Sequence, residues 1–184
     1  MDNSSKINTE FLNWYENHHH QFVKYCSSHA FGIMETEDLV QESILACLEN
    51  YAKVQDPEKL LGYLIGIANN KVRNKKRRLK FKGNWDEQAF EKLKARTQDP
   101  EMALDIQYLL KAMDQLPAKQ KQAILMFEIS GFSIREISKA QESTESATKT
   151  RISRGRKRLK EILSEDTRKV SLANRLAAFA SILF

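Results

Sequence analysis

SIREISKAQESTESATKTRISRGRKRLKEIL, residues Ser133–Leu163, spells two helices joined by a tight connection. Ser133 and Glu136 have capping-box spacing, in which a hydroxyl and a carboxylate each satisfy an amide at a helix start. A short helix is therefore expected after Ser133, and a long one from Thr144 through Leu163. In the long helix Ile152, Gly155, Leu159, Ile162 and Leu163 share one face. Lys149, Arg151, Arg154, Arg156, Lys157, Arg158 and Lys160 crowd the remainder, with no acid between Glu145 and Glu161. Short helix, turn and long basic helix is the layout of a helix-turn-helix. A basic amphipathic helix also suits a membrane surface or an acidic protein, but neither of those requires the capped helix before it. In a helix-turn-helix the N-terminal part of the second helix enters the major groove. Glu145, Ser146, Thr148, Lys149 and Arg151 are then candidate base readers, and Arg154, Arg156 and Arg158 candidate phosphate contacts.

Working upstream, Asp99-Pro100 reads as cap plus first helical residue. The helix it opens carries Met102, Ile106, Leu109, Leu110 and Met113 and ends before Leu116-Pro117. Another runs from about Ala118 to Ser130 and stops at Gly131, a residue suited to a left-handed terminus. From about Lys80 to Gln98 the periodicity weakens and acids outnumber bases, which predicts a polar linker able to hold short helical turns.

The first half is also helical. Phe11, Leu12, Tyr15, Phe22, Val23 and Cys26 form one stripe, predicting a single helix from about Asn8 to Ala30. His18, His19 and His20 point three ways from a helix, so they do not converge on a metal. A second helix starts at Thr36, whose hydroxyl is expected to cap it ahead of Glu37 and Asp38. Its inner stripe is Leu39, Val40, Ile44, Cys47, Leu48 and Tyr51. Asp56-Pro57 opens a third, with Leu60, Leu61, Leu64, Ile65, Ala68 and Val72 inward. From Lys59 to Trp85 there is no acid, while Lys71, Arg73, Lys75, Lys76, Arg77, Arg78, Lys80 and Lys82 accumulate. Such crowding is relieved by phosphates, each of which releases counterions when neutralised; a solvated cationic helix end is the plain alternative. Asn69, Asn70 and Asn74 stand ready for base edges, and Tyr63 and Phe81 for stacking on unpaired bases. Glu35, Glu37, Asp38, Gln41 and Glu42 make an acidic face, either solvated or docked on a basic partner helix.

The 184 residues carry a net charge of +6 and only six glycines and three prolines, which favours small helical modules and an acidic partner. Cys26 and Cys47 stand in apolar patterns without ligand spacing and read as buried reduced thiols of a cytoplasmic protein. The first residues show no signal peptide. No stretch reaches the roughly 20 apolar residues of a membrane span. There is no catalytic constellation, metal site or cofactor motif, so an enzyme is not expected. The fold class is all-α: two small helical domains, residues 1–80 and 100–165, joined by the linker 81–99 and followed by an apolar tail, 166–184.

Taken together these residues resemble the extracytoplasmic-function group of the sigma-70 family. Glu37-Asp-Leu-Val-Gln-Glu42 resembles the family's polymerase-binding segment, and the resemblance assigns Asp38, Leu39, Gln41 and Glu42 to core RNA polymerase. Tyr63-Leu-Ile-Gly-Ile-Ala-Asn-Asn70, with Asn74 and Arg77-Arg78, is similar to the stretch that contacts the melted −10 element. It implies a −10 set of Tyr63, Asn69, Asn70, Arg73, Asn74, Arg77 and Arg78, helped by the loop Ala52–Lys59. Leu116-Pro117, Gly131-Phe-Ser133, Glu136-Ile137 and Thr144–Leu159 resemble the module that reads the −35 element. It implies Ser133, Ser146, Thr148, Lys149, Arg151, Arg154 and Arg158 as its DNA contacts. The expected partners are core polymerase, promoter DNA and an anti-sigma factor, with the free chain a monomer. A stand-alone helix-turn-helix regulator is the alternative. Tyr63, Asn74, Ser138, Gly155 and the polar turn Ala140–Ser143 depart from the family's usual residues. The tail lies outside the resemblance; it is expected to pack in a groove of this chain and hold the two domains together when polymerase is absent, with binding of a regulator or of a membrane surface as the alternatives.

Overall fold

The computed structural model describes residues 3–51, 56–80, 85–97, 99–164 and 170–183, all helix, turn and loop with no strand among them. The expected single N-terminal helix is two: α1 (Asn3–Glu16) and α2 (His19–Ala30). The break has a local cause. The Asn17 side chain donates to the Asn13 carbonyl at 3.2 Å, and the His18 ring lies 3.0 Å from the Trp14 carbonyl. These side chains take up the acceptors that a continuing helix would have offered to backbone amides. α3 (Thr36–Glu49) starts where predicted, but Glu35 is its cap residue and no side chain caps it. Glu37 and Asp38 in the first turn supply the charge that the helix dipole favours.

Asp56 accepts from the Glu58 amide at 2.9 Å, opening a 3₁₀ turn, Pro57–Lys59, before α4 (Leu60–Lys80). The linker holds more order than its charge suggested: α5 (Trp85–Thr97) buries Leu93 completely. α6 (Pro100–Asp114) is capped by Asp99, which accepts from the Glu101 and Met102 amides. α7 (Ala118–Ile124) runs into a wider π turn, Leu125–Ile129, where a continuous α-helix was expected. Gly131 then takes the left-handed conformation, φ 73°. α8 (Ile134–Ala140) opens on the predicted capping box, and α9 (Glu145–Ser164) follows after four residues. α10 (Leu172–Leu183) is the apolar tail.

α1–α4 pack around Phe11, Phe22, Tyr25, Leu39, Leu64 and Ile65, all essentially excluded from water. α6–α9 pack around Ile106, Leu109, Met113, Ile124, Ile137 and Leu159. Truncating one of the large rings costs about 3–5 kcal/mol in such settings. The two halves meet where α4 lies on α8 and α2 on the π turn. α5 packs on α6, and α10 packs on α6, α2, α9 and the π turn.

Candidate nucleic-acid interface

Three faces carry the residues singled out in the sequence. On α3, Asp38, Gln41 and Glu42 are exposed. Leu45, one further turn along the same face, is 60% exposed and completes it. That leucine was missed, although its spacing of seven from Asp38 marks the shared face. Leu39 points the other way and is fully buried, so it shapes the face from beneath instead of contacting a partner. The Glu42 carboxylate accepts from Lys71 of α4 at 2.9 Å. Glu35, at the head of the helix, accepts from Lys92 of α5 at 2.8 Å, and this bond holds its carboxyl below the usual range.

α4 is apolar on its inner side, where Leu60, Leu61, Leu64, Ile65, Ala68 and Val72 are buried as expected. Helical spacing then sets Tyr63, Asn70, Asn74 and Arg77 along its outer side, all exposed, with Arg73 and Arg78 flanking them. The Asn70 side-chain oxygen accepts from Arg73 at 2.9 Å. Asn69 differs: its oxygen accepts a 2.6 Å bond from the Tyr25 hydroxyl, which fixes the amide half-buried against α2. Burial pushes the Tyr25 phenol far above its ordinary range, so it stays a donor. Lys71 and Lys76 of the basic run are engaged, by Glu42 and by Asp114 of α6 respectively. Phe81 and Ala52–Gln55 lie outside the described residues.

The helix-turn-helix is built as a polar knot. The Ser133 hydroxyl accepts from the Glu136 amide at 3.2 Å, and the Ser133 amide donates to the Glu136 carboxylate at 2.8 Å. Ser133 is therefore the cap that starts α8. In the turn, Gln141 is nearly buried; it donates to the Lys119 carbonyl at 3.0 Å and to Gln122 at 2.9 Å, and accepts from Arg151. Arg151 is thus drawn to the turn between α8 and α9. Thr148 is fully buried, its hydroxyl 3.0 Å from that of Ser143. Its place is beneath the outward face of α9, because it falls on the inner stripe with Ile152, Gly155 and Leu159. The outward residues are Ser146, Lys149 and Arg154 from the expected set, with Thr150 and Ser153 added on the same spacing. Arg158 is exposed 3.4 Å from Glu161, and Arg156 is held by Glu128 beside the Phe127 ring.

Below these faces His29 is half-buried in α2, with its Nδ1 shut off from water. Burial pushes its imidazole down to about 3, helped by Lys121 and Lys76 and opposed by Asp114. Asp114 accepts from both lysines. Burial works against its charge, yet the two ammonium groups prevail and hold the carboxyl below the usual range. His18 stacks on Trp14 at 4.5 Å, and His19 bonds the Tyr15 hydroxyl at 3.0 Å, so the two rings serve different neighbours. No group of three metal-ligating side chains converges among the described residues. No helix among them is long and apolar enough to cross a membrane.

Comparison with known proteins covers the same ground. The family model for sigma-70 region 2 matches residues 14–81, and that for sigma-70 region 4 matches residues 106–159. The chain is 26% identical over 130 residues to the ECF RNA polymerase sigma factor EcfG of Rhodopseudomonas palustris, covering 71% of this chain and 72% of that one. It is 25% identical over 131 residues to the RNA polymerase sigma factor CarQ of Myxococcus xanthus, covering 70% and 75%. Among solved structures, the sigma factor RpoE of Bartonella quintana, co-crystallised with the anti-sigma factor NepR, shares its fold. The TM-score is 0.50 at 22% identity, over 88% of this chain and 98% of that one.

Proposed function

This chain belongs to the sigma-70 family as an alternative sigma factor of the extracytoplasmic-function type, and we propose which of its surfaces meet which partner. Residues 1–80 bind core RNA polymerase through the outer face of α3 (Asp38, Gln41, Glu42 and Leu45). The same half takes the −10 element along Tyr63, Asn70, Arg73, Asn74, Arg77 and Arg78 of α4. Residues 100–165 read the −35 element with Ser146, Lys149, Thr150 and Ser153 of α9, and Arg154 and Arg158 hold phosphates. Asn69, Ser133, Thr148 and Arg151 position these faces through the bonds described above. The observation that carries the reading is the occurrence, in one chain and in family order, of an acidic α3 face, an asparagine-arginine α4 face and a basic helix-turn-helix.

The work is done by binding, not by catalysis, in the cytoplasm where polymerase acts. Extruding a base costs a few kcal/mol. Stacking returns about 1–3 kcal/mol per base, so one ring such as Tyr63 plus phosphate contacts offsets one flipped nucleotide. Promoter binding without polymerase is then weak. An anti-sigma factor of the kind that accompanies the Bartonella quintana protein is the proposed regulator. A stand-alone regulator would leave the α3 face and the α4 stripe without a role.

The test is assembly. On gel filtration with bacterial core polymerase the chain should co-elute and retain a forked promoter fragment. Asp38→Arg combined with Gln41→Ala should elute separately, with unchanged helicity. Equal co-elution of the variant would overturn the α3 assignment.

A further inference from the structure

A cleft of about 640 Å³ carries several residues that the promoter reading leaves unused. Its size falls within the roughly 300–1,000 Å³ of small-ligand sites. One wall is α4, where Tyr63, Gly66 and Asn70 follow at helical spacing and share a face. Tyr63 offers an exposed ring. A Cβ added to Gly66 would meet nothing within 4 Å, so the turn beyond the ring is an open slot. The Asn70 side-chain oxygen is taken by Arg73 at 2.9 Å, which leaves its amide N–H groups to donate. Ring, slot and donor suit a planar base that is stacked on one face and addressed at one edge.

The rest of the lining supplies charge. Lys59 of the 3₁₀ turn, Lys119 of α7 and Lys139 of α8 come to the cleft from three elements. Lys139 pairs with Glu58, whereas Lys59 and Lys119 pair with no carboxylate among the described residues. Free ammonium groups of this kind bind phosphates. Two carboxylates also line the cleft, Asp56 and Glu142. Asp56 accepts from the Glu58 amide at 2.9 Å. The Glu142 carboxylate has no partner among the described residues, and its backbone is held at φ 50°. Strain of that sort gathers at ligand sites. A carboxylate accepts from the adjacent imide and amine N–H groups of guanine, and the Asn70 amide can donate to the neighbouring carbonyl. A nucleic-acid strand suits the cleft less well. A Cβ placed on Gly62 would fall 2.8 Å from the Ala140 carbonyl oxygen, so a strand has no path between those two residues. A single nucleotide needs none.

We propose that this cleft binds a free guanosine polyphosphate. The base enters the Gly66 slot against Tyr63, its edge meets Glu142 and Asn70, and the phosphates meet Lys59 and Lys119. Tyr63 and Asn70 also belong to the face proposed for the −10 element. Gly66, Lys119 and Glu142 belong to neither the polymerase nor the DNA set, so they carry the test.

The experiment is equilibrium dialysis of the full chain with radiolabelled GTP at fixed ionic strength. The competitors are ATP, inorganic triphosphate and the dinucleotide GpG. GTP should saturate at one per chain, and each competitor should act at least roughly tenfold more weakly. Lys119→Ala and Glu142→Gly should each lower GTP affinity roughly tenfold, the effect of losing one charge-assisted hydrogen bond. Gly66→Leu should fill the slot and remove binding, with helicity unchanged. Lys111→Ala, at an exposed lysine of α6 outside the cleft, should match wild type. Absence of saturable GTP binding, equal competition by any of the three competitors, or an equal loss in Lys111→Ala overturns the proposal. Run-off transcription with core polymerase reads the promoter assignment separately. Its failure beside intact GTP binding would sink that assignment and leave the nucleotide site standing.

Discussion

His29 shows how one side chain couples the fold to pH. Its imidazole is held neutral, first by burial and then by Lys121 and Lys76, with its pKa pushed down to about 3 from an ordinary 6.5. The unfolded chain takes up a proton near 6.5 and the folded chain does not until about 3, so stability is complete above 6.5 and falls as pH drops between these values. At pH 5 the loss is on the order of 2 kcal/mol. Urea titrations at pH 7 and pH 5 should show that loss, and His29→Phe should shrink it. An equal loss in the variant would assign the acid sensitivity elsewhere. Residue roles were the least legible level of the sequence. Asn69 and Asn70 read alike as candidate base contacts, yet the Tyr25 hydroxyl engages one and not the other. Thr148 and Leu39 lie inside motifs whose family role is binding, but each falls on the inner stripe of its helix. The 3.6-residue period already sets Leu39 on the inner stripe, and extending it to Thr148, four residues before Ile152, separates that one too.

At the scale of elements, what the sequence made legible was local chemistry. The Asp99 cap, the Ser133–Glu136 box, the inner stripe of α4 and the left-handed Gly131 each depend on residues within one turn, and all four are present. The split between α1 and α2, the π turn and the order in α5 escaped, because each depends on competition or on distant packing. The break is decided by side chains taking carbonyls at Asn13 and Trp14. α5 is held by burial of Leu93 and by the Lys92–Glu35 bond to α3. The departures from the family pattern acquire a physical account here. Gly155 lets α9 approach Ile124, whose Cγ1 would be 3.1 Å from an added Cβ. The polar turn replaces apolar packing with the Gln141 bonds to Lys119, Gln122 and Arg151. Within it Glu142 adopts φ 50°, where a side chain is strained. Glu142→Gly should therefore raise stability by about 1 kcal/mol, whereas Glu142→Ala should gain nothing. Chemical denaturation of both variants checks the pair, and equal stabilities would show that the turn is unstrained.

At the scale of the whole molecule, a net charge of +6 is unremarkable, and its distribution is what matters. Cations gather on the end of α4 and along α9, acids on the outer face of α3, so the faces proposed for polymerase and for DNA carry opposite charge. The sequence made the two helical halves legible through their periodicity. Their contact was not, since Gly62 and Ala140 stand far apart in the chain and neither residue type announces an interface. On the proposed function these surfaces act together only on polymerase. The most direct measurement is run-off transcription with bacterial core polymerase on a library of genomic fragments, with the chain, without it, and with the Asp38→Arg, Gln41→Ala variant. The expected transcripts need the chain, share two spaced upstream elements and vanish with the variant. Sequence-specific DNA binding by the chain, with transcription indifferent to it or to the variant, would contradict the account.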